Sequence, residues 1–229
     1  MSARDDILGS VRRSLRRDRL SDEAQAALQR RIRAHERNIV PQRGSGSGAE
    51  IAARFIDEAK SVAVTVQPVA SDAEVPDAIV RYLAQHNLPA RVAMAPSAAL
   101  EQIPWASRPT LEVRRGAARP DDQVSVTPAF AGIAETGTLM LTSGAETPTT
   151  LNLLPYDHVV VMRTSQIVGS YEDAWDLLRQ SRSRADGLID MPRTVNFITG
   201  PSRTGDIEQK ILMGAHGPRR LHIVLIEDA

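Results

Sequence analysis

Two stretches of the sequence set polar, chemically capable groups inside otherwise apolar runs. One is Asn196 to Glu208, where Gly200-Pro201-Ser202-Arg203-Thr204-Gly205-Asp206 follows a strand-like segment. Gly200 and Pro201 favour a tight turn, Ser202 is placed to cap a helix, and Asp206 and Glu208 fall near that helix's positive end. Free amides at such a start bind anions, and Arg203 adds a planar two-pronged contact for a carboxylate or phosphate. The same residues also read as an ordinary capped helix with Arg203 paired to a neighbouring acid, because every helix start must satisfy its amides.

The other stretch is Ala131-Gly132-Ile133-Ala134-Glu135-Thr136-Gly137-Thr138, running into Leu139-Met140-Leu141. An acid, two hydroxyls and a glycine in an apolar strand conflict with the local pattern, and such conflicts concentrate at functional sites. Gly137 lets a backbone or a ligand come close. Glu135 is suited to act as a base, or as a nucleophile towards an activated acyl group. Its structural alternative is a carboxylate accepting hydrogen bonds from the turn.

Glu135 is thus the catalytic candidate. Thr136, Gly137, Thr138, Gly200, Pro201, Ser202, Arg203, Thr204 and Asp206 are the candidate anion-binding residues, with His216 as a pocket-lining acid or base. His216 lies in Gly214-Ala-His-Gly-Pro218, where a helix-ending turn is the plainer reading. The polar loop from Ser143 to Thr150 is either a lid or a connection. His158 and His222 fall at or inside strands, as core histidines do. Five scattered His and no Cys give no metal-ligand spacing, so no metal site is expected.

The elements that must position these groups alternate between helix and strand. Helices are expected over about 49–59, 75–86, 172–181 and 203–213. Strands are expected over 61–66, 91–94, 124–127, 133–141, 157–162, 195–198 and 221–226. Short apolar strands alternating with helices predict an α/β fold, a mainly parallel open sheet with helices on both faces. Ligands of such sheets sit beyond the carboxyl ends of the strands.

Ahead of this body lies an arginine-rich helical arm, residues 1–43, with Ile7, Leu8, Val11 and Leu15 on one helix stripe and Leu28, Ile32 and Ile39 on a second. Residues 44–48, Gly-Ser-Gly-Ser-Gly, read as a flexible linker, and 49–229 as the α/β domain. Gly44, Gly46 and Ala49 mimic a dinucleotide fingerprint, but an arginine-rich helix stands where that motif needs a strand.

The 229 residues carry 28 basic and 28 acidic side chains, yet residues 1–43 hold 11 Arg against 6 acids and the remainder 17 basic against 22 acidic. That arm needs another surface for its apolar stripes, which suggests a homo-oligomer or a partner chain. The neutral total and an aromatic content of only 3% argue against a nucleic-acid partner. Zero Cys excludes thiol nucleophiles and Cys-ligated clusters in this chain. Apolar runs of at most four residues, such as Val159 to Met162, give no membrane partner and a cytoplasmic expectation.

Gly132-Ile-Ala-Glu-Thr-Gly-Thr138, Leu154-Pro155 with His158-Val-Val-Val, Gly200-Pro-Ser-Arg-Thr-Gly-Asp-Ile-Glu208, and Gly214-Ala-His-Gly-Pro218 with Leu221-His-Ile-Val-Leu-Ile226 occur in that order. Together they resemble the LUD domain of the lactate utilization protein C family, over roughly Ala49 to Ile226. The resemblance implies a NagB/RpiA/CoA-transferase-like fold. It also implies a role beside iron–sulfur lactate utilization subunits that oxidise L-lactate to pyruvate, with the Glu135 and Arg203 segments as the ligand pocket. Side chains cannot accept the two electrons of that oxidation. The expectation is therefore a non-redox accessory subunit binding a small carboxylate or phosphate, with no cofactor in this chain and iron–sulfur clusters only in partners. The alternative is a stand-alone acyl-CoA transferase or sugar-phosphate isomerase using Glu135.

Overall fold

The structure is a computed structural model that describes residues 2–16, 20–186, 188–205, 211–214 and 216–228. It divides into two units, residues 1–39 and 40–229. The first holds α1 (Ala3–Leu15) and α2 (Asp22–Ala34), capped by Ser2 and Ser21. Their apolar residues Ile7, Val11, Leu15, Leu28 and Ile32 are exposed. Ile39 lies beyond the end of α2, so it does not share that helix's stripe.

The second unit opens on a 3-10 turn, Gln42–Gly44, and α3 (Gly48–Ser61), whose capping box joins Ser47 to Glu50. Then come β1 (Thr65–Val69), α4 (Val75–Gln85), β2 (Arg91–Met94), the short α5 (Ala98–Glu101), β3 (Glu112–Arg115) and β4 (Val124–Pro128). A hairpin of β5 (Ala131–Ile133) and β6 (Thr138–Thr142) follows, then α6 (Thr150–Leu153), β7 (Asp157–Arg163), β8 (Ile167–Val168) and α7 (Tyr171–Ser181). The chain finishes with β9 (Val195–Ile198), β10 (Arg203–Gly205), β11 (Ile211–Met213) and β12 (Arg220–Ile226).

Six strands form an all-parallel sheet in the order β1-β12-β7-β4-β2-β3. The central strands β7 and β12 are apolar on both faces, as strands covered on both sides must be. On one face α4 and α5 bring Val75, Ile79, Leu83 and Leu100 against Val126, Val159, Val161 and Val224. On the other, Phe55 and Ala59 of α3 pack with Leu139 and Leu141 of β6 against Val160, Met162, Ile223 and Leu225. Fully burying a side chain such as Phe55 contributes about 2–3 kcal/mol. The hairpin belongs to a second sheet, β8-β5-β6-β9, whose outer face is covered by Ala174 and Leu178 of α7.

Three expectations need correction. The helix expected over 203–213 is absent among the described residues. Arg203–Gly205 and Ile211–Met213 are instead antiparallel strands, because each end finds a ladder partner in the other. The strand expected over 133–141 is a hairpin that turns at Gly137, where φ is +65°. The first strand is β1, at 65–69, because α3 runs on to Ser61.

The start of the glycine–serine stretch makes contacts with the α/β body. Gly44 is buried against Gly169, and Arg54 donates to the carbonyls of Arg43 and, at 2.9 Å, Ser45. No helix among the described residues is long and apolar enough to cross a membrane.

Candidate functional site

A cavity of about 500 Å³ opens at the carboxyl ends of the parallel strands, where open α/β sheets place their ligands. Its floor is apolar, built by Pro128 at the end of β4, Met162 near the end of β7, Ile226 at the end of β12, and Leu100 of α5. Phe130, leading into β5, and the loop after β6, with Glu146 and Thr147, form a wall. Thr147 is held by its hydroxyl, which donates to the Thr142 carbonyl at 2.7 Å.

Of the polar groups that line this space, which include the exposed Glu146 carboxylate, three differ in freedom. Arg163, at the end of β7, donates through one nitrogen to both Asp72 carboxylate oxygens at 2.8 Å. Its own amide donates to Gln166, whose side-chain amide donates to the Ala129 carbonyl, so this corner is fixed. Arg182, just past α7, is exposed and makes no side-chain hydrogen bond or ion pair among the described residues. Ser97 is buried and caps α5 through its carbonyl alone, leaving its hydroxyl uncommitted. An unpaired guanidinium at the mouth, a free hydroxyl in the wall and an apolar floor suit an organic anion.

The sequence-derived candidates lie elsewhere. Thr138 and Thr199 meet at 2.6 Å, so the Glu135–Thr138 turn and the Gly200 turn are indeed brought together. Their polar groups, however, are turned on one another. The hydroxyls of Thr136, Thr138 and Tyr171 are mutually bonded at 2.7–3.0 Å. The Glu135 amide donates to the Gly169 carbonyl, and the mostly buried Glu135 carboxylate stands 3.8 Å from Arg43.

Gly200, at φ +85°, lies where a β-carbon would come within 2.6 Å of the Val62 carbonyl, and Pro201 is buried. The Ser202 amide donates to the Pro218 carbonyl at 2.8 Å, and Arg203 donates to the Val62 carbonyl at 3.1 Å. Thr204 falls in β10, and Asp206 lies outside the described residues. His216 is exposed, its amide donating to the Ser202 hydroxyl.

Pro218 precedes β12 and the cavity touches that strand's last residue. The Gly200 turn and the cavity are therefore separated by the length of the strand, roughly 20 Å. Among the described residues no helix follows Gly200 to present a positive end, and the Ser202 amide is spent within the protein.

Beside the amino ends of the strands lies a buried ionic cluster. Asp157, fully buried, accepts from Tyr82 at 2.6 Å and from Arg220 at 2.5 and 2.8 Å. Burial, reinforced by Asp157, pushes the Tyr82 hydroxyl pKa well up. His222 stacks on Tyr82 with ring centres 4.3 Å apart and meets Thr65 at 2.7 Å. His158, fully buried, meets Thr127 at 2.7 Å. Burial holds His158 down at about 3 and His222 at about 4. Among the described residues no group of three or more His, Asp or Glu converges as metal ligands would.

A model of the LUD domain family matches residues 52–226, most of the chain. The chain belongs to the LUD domain family. This LUD domain is 33% identical over 96 residues to Lactate utilization protein C of Bacillus subtilis, covering 42% of this chain and 39% of that protein. It is 36% identical over 125 residues to Lactate utilization protein C of an Exiguobacterium species, covering 54% of this chain and 52% of the other. The chain thus matches about half or less of the length of these relatives. The fold is also that of a DUF162 family protein from Deinococcus radiodurans, whose crystal structure matches with a TM-score of 0.57 at 25% identity, covering 80% of this chain and 99% of that one.

Sequence reasoning missed the cavity of this LUD domain. Its lining comes from segments as distant as Asp72 and Ile226, and no local pattern unites them. One signal was available. Pro128 and Arg163 each end an apolar strand run, and the ends of such runs are where ligands of parallel sheets collect.

Proposed function

We propose that this LUD domain is the non-redox subunit of a cytoplasmic L-lactate-oxidising system and holds a small organic anion in the cavity at the carboxyl ends of its parallel sheet. The observation that carries the reading is the Arg182 guanidinium, without a side-chain partner among the described residues, at the mouth of that cavity above an apolar floor. The shared family and the relatives named Lactate utilization protein C support the metabolic context. A chain without cysteine supplies no thiolate for a cluster, so electrons leaving lactate pass to iron–sulfur partner subunits.

Arg182 meets the carboxylate, the Ser97 hydroxyl offers a hydrogen bond, and the Arg163–Asp72 pair fixes the opposite wall. Glu135 sits at the turn end of the β5–β6 hairpin, whereas the cavity touches the other end through Phe130 and Thr142. That placement favours the accessory role over acyl transfer at Glu135.

The test is co-expression with iron–sulfur lactate utilization subunits. The expected result is a complex that carries iron and converts lactate to pyruvate, while the isolated chain does neither. Lactate turnover by the isolated chain, or a covalent adduct at Glu135 after incubation with an acyl-CoA, would overturn the proposal.

A further inference from the structure

The cavity is too large for a three-carbon acid. Lactate has six non-hydrogen atoms, which at water's share of about 30 Å³ each fill roughly 180 Å³. The space available is about 500 Å³. Part of what surrounds the excess is hydrocarbon, from Leu100, Ile103, Pro128, Phe130, Met162 and Ile226, and the rest is polar. A short acid bound at the mouth leaves that surface wet, whereas a longer one covers it, and burial of apolar area drives such binding.

Charge narrows the class further. Arg163 and Arg182 at the rim are balanced by Asp72 and Glu146, and Arg163 is already engaged by Asp72. Among the described residues that leaves one guanidinium, Arg182, to meet a ligand, with the exposed Glu146 the remaining rim acid. A nucleoside triphosphate or coenzyme A would bring several negative charges to a site with one unpaired cation, and unpaired charge removed from water is costly. A single carboxylate matches it.

We infer that the cavity binds an amphiphilic monocarboxylate of about ten to fifteen non-hydrogen atoms, a size that at that packing takes up most of it. The inference rests on the reading that this cavity is the anion site and narrows its ligand class. The carboxylate lies at Arg182 beside the Ser97 hydroxyl, and the tail runs over Leu100 and Met162 towards Phe130.

The experiment is calorimetric titration of the full chain with a series sharing one head group: lactate, 2-hydroxybutyrate, 2-hydroxyhexanoate and 2-hydroxyoctanoate, with ATP and coenzyme A alongside. Each added methylene is expected to tighten binding roughly fourfold, the equivalent of ~0.8 kcal/mol per buried CH2, so 2-hydroxyoctanoate, five methylenes longer, binds about a thousandfold tighter than lactate.

Ala99 is exposed on the rim, so Ala99→Trp plugs the tail space from outside the core and removes that gain. Ala99→Leu, a smaller plug, removes part of it and serves if the larger residue prevents folding. A flat series with measurable lactate binding overturns the inference and leaves the anion site standing, as does tightest binding by ATP or coenzyme A. A chain-length gain that survives both plugs also overturns it. Failure of every hydroxy acid to bind overturns the inference and the site together.

Discussion

Gly137 lies so close to the Ala59 amide that a β-carbon on it would overlap that nitrogen, and its φ of +65° is one that L side chains rarely adopt. The glycine that breaks the apolar pattern of the second sheet is there so that the β5–β6 turn can seat on α3. It admits a backbone and not a ligand.

Gly137→Ala is therefore expected to destabilise the protein by about 3 kcal/mol or more, the sum of a left-handed conformation and a backbone overlap. Urea unfolding measures it. A loss below about 1 kcal/mol would show that the turn can shift away from α3 at little cost.

Asp157 is the second sensitive point. Asp157→Asn removes the charge that Arg220 meets at the amino ends of β7 and β12; Arg220 is 42% exposed, so water takes up part of the loss and the cost is expected to be about 3 kcal/mol, the low end for a buried pair. Tyr82→Phe removes one hydrogen bond to the same carboxylate and is expected to cost less, about 1–3 kcal/mol. Equal losses from both variants in thermal unfolding would contradict this assignment of roles.

Stability should fall in mild acid because of two buried histidines. His158 and His222 are held neutral by burial, with folded pKa values of about 3 and about 4 against an ordinary 6.5. Below pH 6.5 the unfolded chain takes up protons that the folded one does not. Their contribution is thus complete above about pH 6.5 and is lost progressively as pH falls towards 4, at about 1.4 kcal/mol per pH unit for each. Denaturant midpoints at pH 7.5, 6 and 5 read the slope, and His158→Gln should flatten it. A midpoint that stays constant or rises between pH 6.5 and 5 would contradict this origin.

Glu135→Gln separates the accessory role from transferase chemistry. The carboxylate is 3.8 Å from an arginine that is largely exposed, so its loss is expected to cost less than about 1 kcal/mol and to leave hydroxy acid binding within twofold. A loss of binding greater than tenfold would return Glu135 to the site.

Much of the fold was legible because β7 and β12 are continuous apolar runs, and because Ser47 with Glu50 and Ser170 with Asp173 announce the starts of α3 and α7. Strand β3, Glu-Val-Arg-Arg, was not: it is an edge strand whose polar residues carry no burial pattern. Pro68 obscured β1 in the same way, since proline is tolerated on the other edge of the sheet. Arg203 to Met213 carries capping residues, yet β10 and β11 pair with each other, and strand pairing overrides local preference. The two candidate turns do meet at Thr138 and Thr199, but a sequence does not show whether hydroxyls and amides face a ligand or one another.

The measurement that bears most directly on the account is the titration of 2-hydroxyhexanoate into the wild type, Arg182→Gln and Arg203→Gln. Arg182 stands at the cavity mouth without a side-chain partner among the described residues, whereas Arg203 donates to the Val62 carbonyl near the opposite end of the sheet. The account predicts at least a tenfold loss of affinity in Arg182→Gln and a change within twofold in Arg203→Gln. The reverse order, with Arg203→Gln weakened and Arg182→Gln unchanged, would contradict it.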